Sequence, residues 1–419
     1  MEIVSYRPEH LSELLDFLRE QFPDSPQKGN RQFFEWRFSE NPLGSSLDAC
    51  RLAIENGRIV GQLGAIRDRL WAMNRWWDCC WLVDLILAKE HRGPGSAAVL
   101  RLFQEAIEKG SLLLITGAGP KFVRFYQTLG WSYREIAGTY FSIRRPAAAL
   151  AMARDAGETH PALKPLLPFA GLAMTSLQAL RGGWRHRSRD DFEYGVLQAF
   201  GPEIDQLIDR VLPSLPVTSH RSAAYLEWKF NRRPEGTHVA IAARRRGQAA
   251  LSGYIAVKIM ERVPRARWAE IVDFLAAPED SQVFEGLLDR AQRTAAAADV
   301  DFLRLRCSRP EHRQRLRAPF WIRHDRSVID GTFFRTENRA LSDYLTRQPW
   351  HLTSLVSDRT DHGRDETKVL RRITDDQSGI YDHVRGNSPG GAGNADRSRT
   401  SDRARELGFD ERRGVPRAS

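Results

Sequence analysis

The sequence predicts an α/β fold built as two similar halves, each a mixed, mostly antiparallel sheet flanked by helices. Three observations predict it. Strand-like and helix-like segments alternate from the start of the chain to about Arg145. The apolar segments between Cys50 and Ala88 are joined by turn residues, so they read as hairpins rather than as strand–helix–strand units. The anchors of the first half then recur, in order, in the second.

The elements follow in order. "EIVSYR" is a short strand, and "PEHLSELLDFLREQF" carries Leu11, Leu14, Leu15 and Leu18 at helical spacing, with Pro8 near its start. A second helix is predicted around "RQFFEWRFSEN", stopped by Pro42 and Gly44. "CRLAIENGRIVGQLGAIRDRLWAM" and "RWWDCCWLVDLILA" are antiparallel strands with turns at Asn56-Gly57 and near Asn74. A glycine bend and a helix follow, then the strand "SLLLITGA", the helix "PKFVRFYQTLG" and a closing strand "TYFSIRR".

The repeat is specific. "FFEWRFSENPLG" recurs as "YLEWKFNRRPEG", with Trp36-to-Pro42 spacing matched by Trp228-to-Pro234. Val83-Asp84 returns as Val272-Asp273, and "GPKFVRFYQTLGW" as "RPEHRQRLRAPFW", which pairs Trp131 with Trp321. The chain therefore divides into a first domain at 1–146, a helical, proline-interrupted linker at 147–190, a second domain at 191–356 and a tail at 357–419. The tail is rich in Arg, Asp, Gly and Ser, too poor in apolar residues to offset its ordering entropy.

Composition sets further bounds. The 419 residues are 42% apolar, enough for two cores, and carry a formal charge of +10 that suits an anionic partner without singling out nucleic acid. No charge-free apolar run reaches the roughly 20 residues that span a bilayer. The segment 165–189, apolar and then basic, reads either as a packed helical hairpin or as a surface contact with anionic lipid. Cys50, Cys79, Cys80 and Cys307 lack CxxC spacing and read as buried free thiols of a cytoplasmic protein, and no metal site is expected. The Trp-rich hairpin (Trp71, Trp76, Trp77, Trp81) is either an acceptor surface or packing.

The bend is the chemical signal. Gly93, Pro94, Gly95, Ser96 and Ala97 join an apolar strand to a helix whose first N–H groups lack intrahelical partners. Such a place suits a phosphate or pyrophosphate, with Arg92 beside it, although glycines also make plain turns. A Walker loop is excluded because no Gly-Lys-Ser/Thr follows. Gly93, Gly95 and Ala98 match the dinucleotide fingerprint literally, but the hairpins before it and Thr116-Gly117 after the next strand depart from that fold.

Arg92 to Ala97, followed by Tyr126 and Leu129-Gly130-Trp131 in "FYQTLGW", resembles the GNAT acetyltransferase superfamily. The likeness covers residues 1 to about 146 with both motifs and continues weakly over 191–356, where "PEDSQVFEG" replaces the bend. Gly119 stands where the family usually has Asn. The resemblance implies acetyl-CoA, or another acyl-CoA, bound in a cleft between two central strands. It assigns the pantetheine arm to Leu87 and Ala88 and the pyrophosphate to the loop from Arg92 to Ala97. It also implies transfer of the acyl group to the amine of a small polar acceptor such as an amino sugar. Tyr126 would protonate the leaving thiolate, or is simply a packed residue. Asp84 would be the general base, or a fold contact shared with Asp273. Aminoacyl or peptidyl transfer in cell-wall assembly, and a non-catalytic CoA sensor or scaffold, remain as other readings. The sequence leaves the oligomeric state open.

Overall fold

The computed structural model describes residues 1–23, 25–92, 112–116, 121–135, 138–145, 191–234, 237–260, 267–277, 281–316, 321–324 and 331–356. The glycine bend, the 147–190 linker and the 357–419 tail lie outside the described residues.

The first sheet begins as the hairpin pattern requires. Strand β1 (Glu2–Ser5) pairs antiparallel with β2 (Arg51–Glu55), which pairs with β3 (Arg58–Ala72), which pairs with β4 (Arg75–Leu87). Both tight turns use left-handed residue pairs, Asn56-Gly57 at φ 51° and 74° and Met73-Asn74 at φ 54° and 57°, the geometry that matches strand twist in a two-residue hairpin. Helix α1 (Leu11–Gln21) buries Leu14, Leu15, Phe17 and Leu18, as its leucine spacing dictates. Helix α2 (Arg31–Phe38) starts where the Asn30 side chain accepts from the Phe33 N–H. Strand β5 (Leu112–Thr116) runs parallel to β4. Helix α3 (Lys121–Thr128) ends at Gly130, whose φ of 80° turns the chain into β6 (Ser132–Glu135).

The next strand departs from the sequence expectation. Strand β7 (Gly138–Ile143), read as the close of the first half, lies instead in the second sheet, between β13 (Phe302–Cys307) and β14 (Ile322–His324). Its counterpart β15 (Gly331–Arg335) lies in the first sheet, between β5 and β6. The exchange is reciprocal, and the two segments are near copies, Gly-Thr-Tyr-Phe and Gly-Thr-Phe-Phe. Each fits the slot vacated by the other.

The second half contains β8 (Phe192–Leu197), α4 (Pro202–Val211), β9 (Val217–Ser219) and α5 (Ala223–Leu226), which continues as a π-helical turn to Asn231. Then come β10 (Thr237–Arg245), β11 (Leu251–Ile259), β12 (Trp268–Ala276), α6 (Ser281–Ala297), α7 (Pro310–Arg315), α8 (Arg339–Arg347) and β16 (Trp350–His351). The first sheet runs β1-β2-β3-β4-β5-β15-β6, with β9 on β3 and β16 on β9; the second runs β14-β7-β13-β12-β11-β10-β8. Among these pairings only β4–β5, β12–β13 and β9–β16 are parallel, so both sheets are mixed and mostly antiparallel.

One large core holds apolar side chains from both halves, and a second lies between the second sheet and α6. Trp36 and Trp228 meet in the large core. Their rings stack at 5.3 Å, and each indole N–H donates to the other's carbonyl, at 2.9 and 2.8 Å. Both residues therefore bury a satisfied polar group along with their apolar area. All four cysteines are buried and free; burial pushes the Cys50 and Cys307 thiols up to about 12.

Candidate functional site

In the first sheet β4 and β5 pair over only part of their length. Their ladder holds from Cys79↔Leu112 to Trp81↔Leu114 and goes no further. Beyond it each strand keeps its outer partner: β4 stays on β3 through Gly61↔Leu87, and β5 stays on β15 through Thr116↔Thr332.

A bulge sits at the point of separation. Gln62 pairs with Ile86 and Gly64 with Val83, so Leu63 faces both Asp84 and Leu85. Asp84 takes the left-handed conformation, at φ 49°. Such backbone costs on the order of 1–3 kcal/mol and persists only where the surroundings fix it. Here one carboxylate oxygen accepts from Lys28 Nζ and the other from Arg37 Nη1, the latter at 2.5 Å. The three side chains are only 3–5% exposed. Breaking such a buried pair leaves an uncompensated charge, typically a cost of about 3–5 kcal/mol.

Downstream of the bulge the strand end is fastened by its own chain. The Ala88 N–H donates to the Val60 carbonyl at 2.8 Å, and the Ala88 carbonyl accepts from His91 N–H at 2.9 Å. The Leu87 carbonyl accepts from Arg92 Nε at 2.8 Å, and Arg92 Nη2 reaches Gln21 Oε1 at 2.8 Å. The Arg92 guanidinium therefore ties the end of β4 to α1. Gly93, Pro94, Gly95, Ser96 and Ala97, expected to follow as a pyrophosphate cradle, lie outside the described residues.

Tyr126 lies on α3 and is buried. Its ring meets Phe333 of the exchanged strand β15 at 4.8 Å and Trp131 at 5.7 Å. The Trp131 N–H donates to the Tyr126 carbonyl at 3.0 Å, which explains the "YQTLGW" spacing: tyrosine, helix-ending glycine and tryptophan close one turn. Because β15 pairs with β5, Tyr126 stands against the sheet on the β5 side of the β4–β5 seam.

The second half repeats the geometry with a different filling. Its parallel ladder ends at Ile271↔Leu305, although β12 runs to Ala276 and β13 to Cys307, and the β11–β12 register shifts beside Asp273. Asp273 is fully buried and accepts from Arg221 Nε at 3.1 Å, Tyr254 OH at 2.5 Å and Thr353 Oγ1 at 2.7 Å. The chain itself crosses the gap. His351 Nε2 meets the Phe274 carbonyl at 3.1 Å, the Leu352 N–H donates to Ser308 Oγ at 3.0 Å, and Ser354 Oγ donates to Glu270 Oε1 at 2.5 Å. Leu316 stands five residues before Trp321, as Tyr126 stands five before Trp131, so the phenol has an aliphatic counterpart.

Between the halves, Asp68 is buried under Trp81 Nε1, at 2.7 Å, and the Tyr225 hydroxyl, at 3.3 Å. Burial raises its carboxyl to about 6. Of the hairpin tryptophans Trp81 is buried and Trp71, Trp76 and Trp77 are half-buried: Trp76 meets His220 at 5.2 Å, and Arg75 lies 3.7 Å over the Trp77 ring. Sequence reasoning singled out Asp84 and Tyr126 but missed Lys28 and Arg37. A signal was present: each half carries a basic residue seven or eight positions before the Glu-Trp anchor, Lys28 and Arg221, and another directly after it, Arg37 and Lys229.

No protein-family model matches the sequence, and no curated protein matches it. Solved structures do. A GCN5-related N-acetyltransferase from Anabaena variabilis aligns over 80% of this chain and 72% of its own, with 13% identity and a TM-score of 0.50. A protein of unknown function from Enterococcus faecalis, titled a probable N-acyltransferase, aligns over the same shares with 12% identity and a TM-score of 0.51. Saccharomyces cerevisiae N-myristoyltransferase aligns over 80% of this chain and 79% of its own, with 11% identity and a TM-score of 0.48. At these identities the likeness is one of fold: the chain has the fold of the GCN5-related N-acetyltransferases. Among the described residues no helix is long and apolar enough to cross a membrane, and no cluster of three or more metal-ligating side chains is found.

Proposed function

We propose that this chain is an acyl-CoA-dependent N-acyltransferase that works in the first half and moves an acetyl group to the amine of a small polar acceptor such as an amino sugar. The observation that carries this reading is the parting of β4 and β5 at Trp81↔Leu114, where two strands with intact outer pairings leave room between them for an extended arm. The pantetheine arm reaches the end of β4 at Leu87 and Ala88, where the Leu87 carbonyl also accepts from Arg92 Nε. The glycines from Gly93 to Gly95, with Ser96 and Ala97, take the pyrophosphate. The neutral acceptor amine attacks the thioester carbonyl, charge develops on its oxygen, and backbone N–H groups at the bulge oppose that charge. The nitrogen gives up one proton to water, the C–S bond breaks, and Tyr126 gives its proton to the departing thiolate.

We further read the two halves as tandem copies of one domain, the second degenerate. The reciprocal Trp36–Trp228 bonds, the matching bulges at Asp84 and Asp273 and the two truncated parallel ladders support this. Residues 351–354 and Leu316 replace the elements a second site would need, so the second half shapes the acceptor side instead. Four buried free thiols suit a cytoplasmic enzyme.

Thiol release from acetyl-CoA, scored against a panel of amino sugars, small amines and peptides, tests the reading. Release that requires an amine supports it. Binding of CoA with no release for any amine marks a sensor, and transfer from aminoacyl donors without CoA binding marks the cell-wall alternative.

A further inference from the structure

We propose that Lys28 and Arg37 are positioning residues which, through Asp84, hold a left-handed residue in the middle of β4 and so set where that strand turns from β5 and what backbone it offers the thioester. The inference rests on the acyltransferase reading and deepens it.

The outlier is specific. Among the described residues the left-handed non-glycine positions are Asn56, Met73, Asn74, Asp84 and Asp299. Four of them lie in turns, where that conformation serves to reverse the chain; Asp84 alone lies inside a strand. An L-residue in a strand reaches φ near 50° only against a steric penalty, and aspartate is among the few that tolerate it. The penalty falls three residues beyond the last β4–β5 pair, Trp81↔Leu114, and directly at the bulge.

The clamp explains how the conformation survives. Lys28 comes from the 3₁₀ turn Pro26–Gly29 and Arg37 from α2, so Asp84 is gripped from two separate elements. The cations are themselves held by ring faces: Lys28 Nζ lies 4.1 Å over Phe22, and the Arg37 guanidinium 5.4 Å over Phe38. Both Asp84 oxygens accept from cations, which hold the carboxylate in its ionised form and fix its orientation. This is the arrangement of a fixed anchor rather than of a proton acceptor. In the second half the counterpart Asp273 is held by Arg221, Tyr254 and Thr353, is absent from the left-handed set, and faces a gap crossed by the chain. Strain accompanies the half that carries the glycine bend.

The test compares side chains at 84 in a charge-free background, Lys28→Met with Arg37→Met, so that no buried cation is stranded. Asp84→Gly accepts the left-handed backbone without a clamp, and Asp84→Val resists it. The expected result is a kcat for the glycine variant at least about tenfold above that of the valine variant, with CoA affinity the same in both. In the otherwise native chain, Lys28→Arg retains more turnover than Lys28→Met. Equal kcat for glycine and valine overturns the proposal, as does loss of the acidic limb of the pH–rate profile in the glycine variant, which marks Asp84 as a base. A crystal structure of Lys28→Met decides the point without turnover: residue 84 is expected to leave the left-handed region, and its persistence there overturns the clamp. Absence of CoA binding and thiol release in the native chain defeats the acyltransferase reading itself, a separate outcome.

Discussion

Tyr126 and Asp68 place two buried oxygens in different company, and each makes a residue-scale prediction. Tyr126→Phe keeps the ring against Phe333 and Trp131 and removes only the hydroxyl. With Tyr126 as the acid, kcat should fall by about 10²- to 10⁴-fold with CoA affinity unchanged, and the alkaline limb of the pH–rate profile should shift. An unchanged kcat would leave Tyr126 a packing residue. Asp68 predicts a pH dependence of stability. Burial raises its carboxyl from 3.8 to about 6, so the folded state holds a proton that the unfolded chain has already lost between those values. The ionised form therefore costs stability above about pH 6, and the cost vanishes below the unfolded value. The difference in Tm between Asp68→Asn and the native chain should grow as pH rises from 4 toward 7 and level off above that. A difference that shrinks over the same range would contradict the burial argument.

At the scale of elements, β15 joins sheet to site. Phe333 packs between Tyr126 and Tyr133, at 4.8 and 4.9 Å, and is fully buried. Phe333→Ala should cost about 3–5 kcal/mol in denaturant unfolding and lower kcat by loosening the Tyr126 ring. Phe333→Leu, which keeps most of the volume, should recover stability before it recovers kcat. Local elements were legible in the sequence because short-range chemistry determines them. The leucine spacing of α1, the left-handed turn pairs and the "LGW" helix stop each follow from residues a few positions apart. The exchange of β7 and β15 was not legible, because alternation states which face a strand buries and not which strand it pairs with. With Gly-Thr-aromatic-Phe in both segments, either sheet can receive either one. Asp84 was legible as a buried carboxylate but not as a left-handed one. Its conformation depends on Lys28, 56 residues away, and Arg37, 47 away.

At the scale of the molecule, two halves share a core, exchange a strand and differ where their central parallel strands part. The first half parts β4 from β5 just before a clamped bulge; the second crosses the same gap with residues 351–354. This asymmetry predicts one acyl-CoA site per chain, in the first half. Calorimetric titration of the intact chain with CoA tests it most directly, since CoA is common to every acyl donor. The prediction is one CoA per chain, lost in Gly95→Glu and kept when Glu279 is replaced by Gln; two sites per chain, none, or binding that survives Gly95→Glu would contradict it.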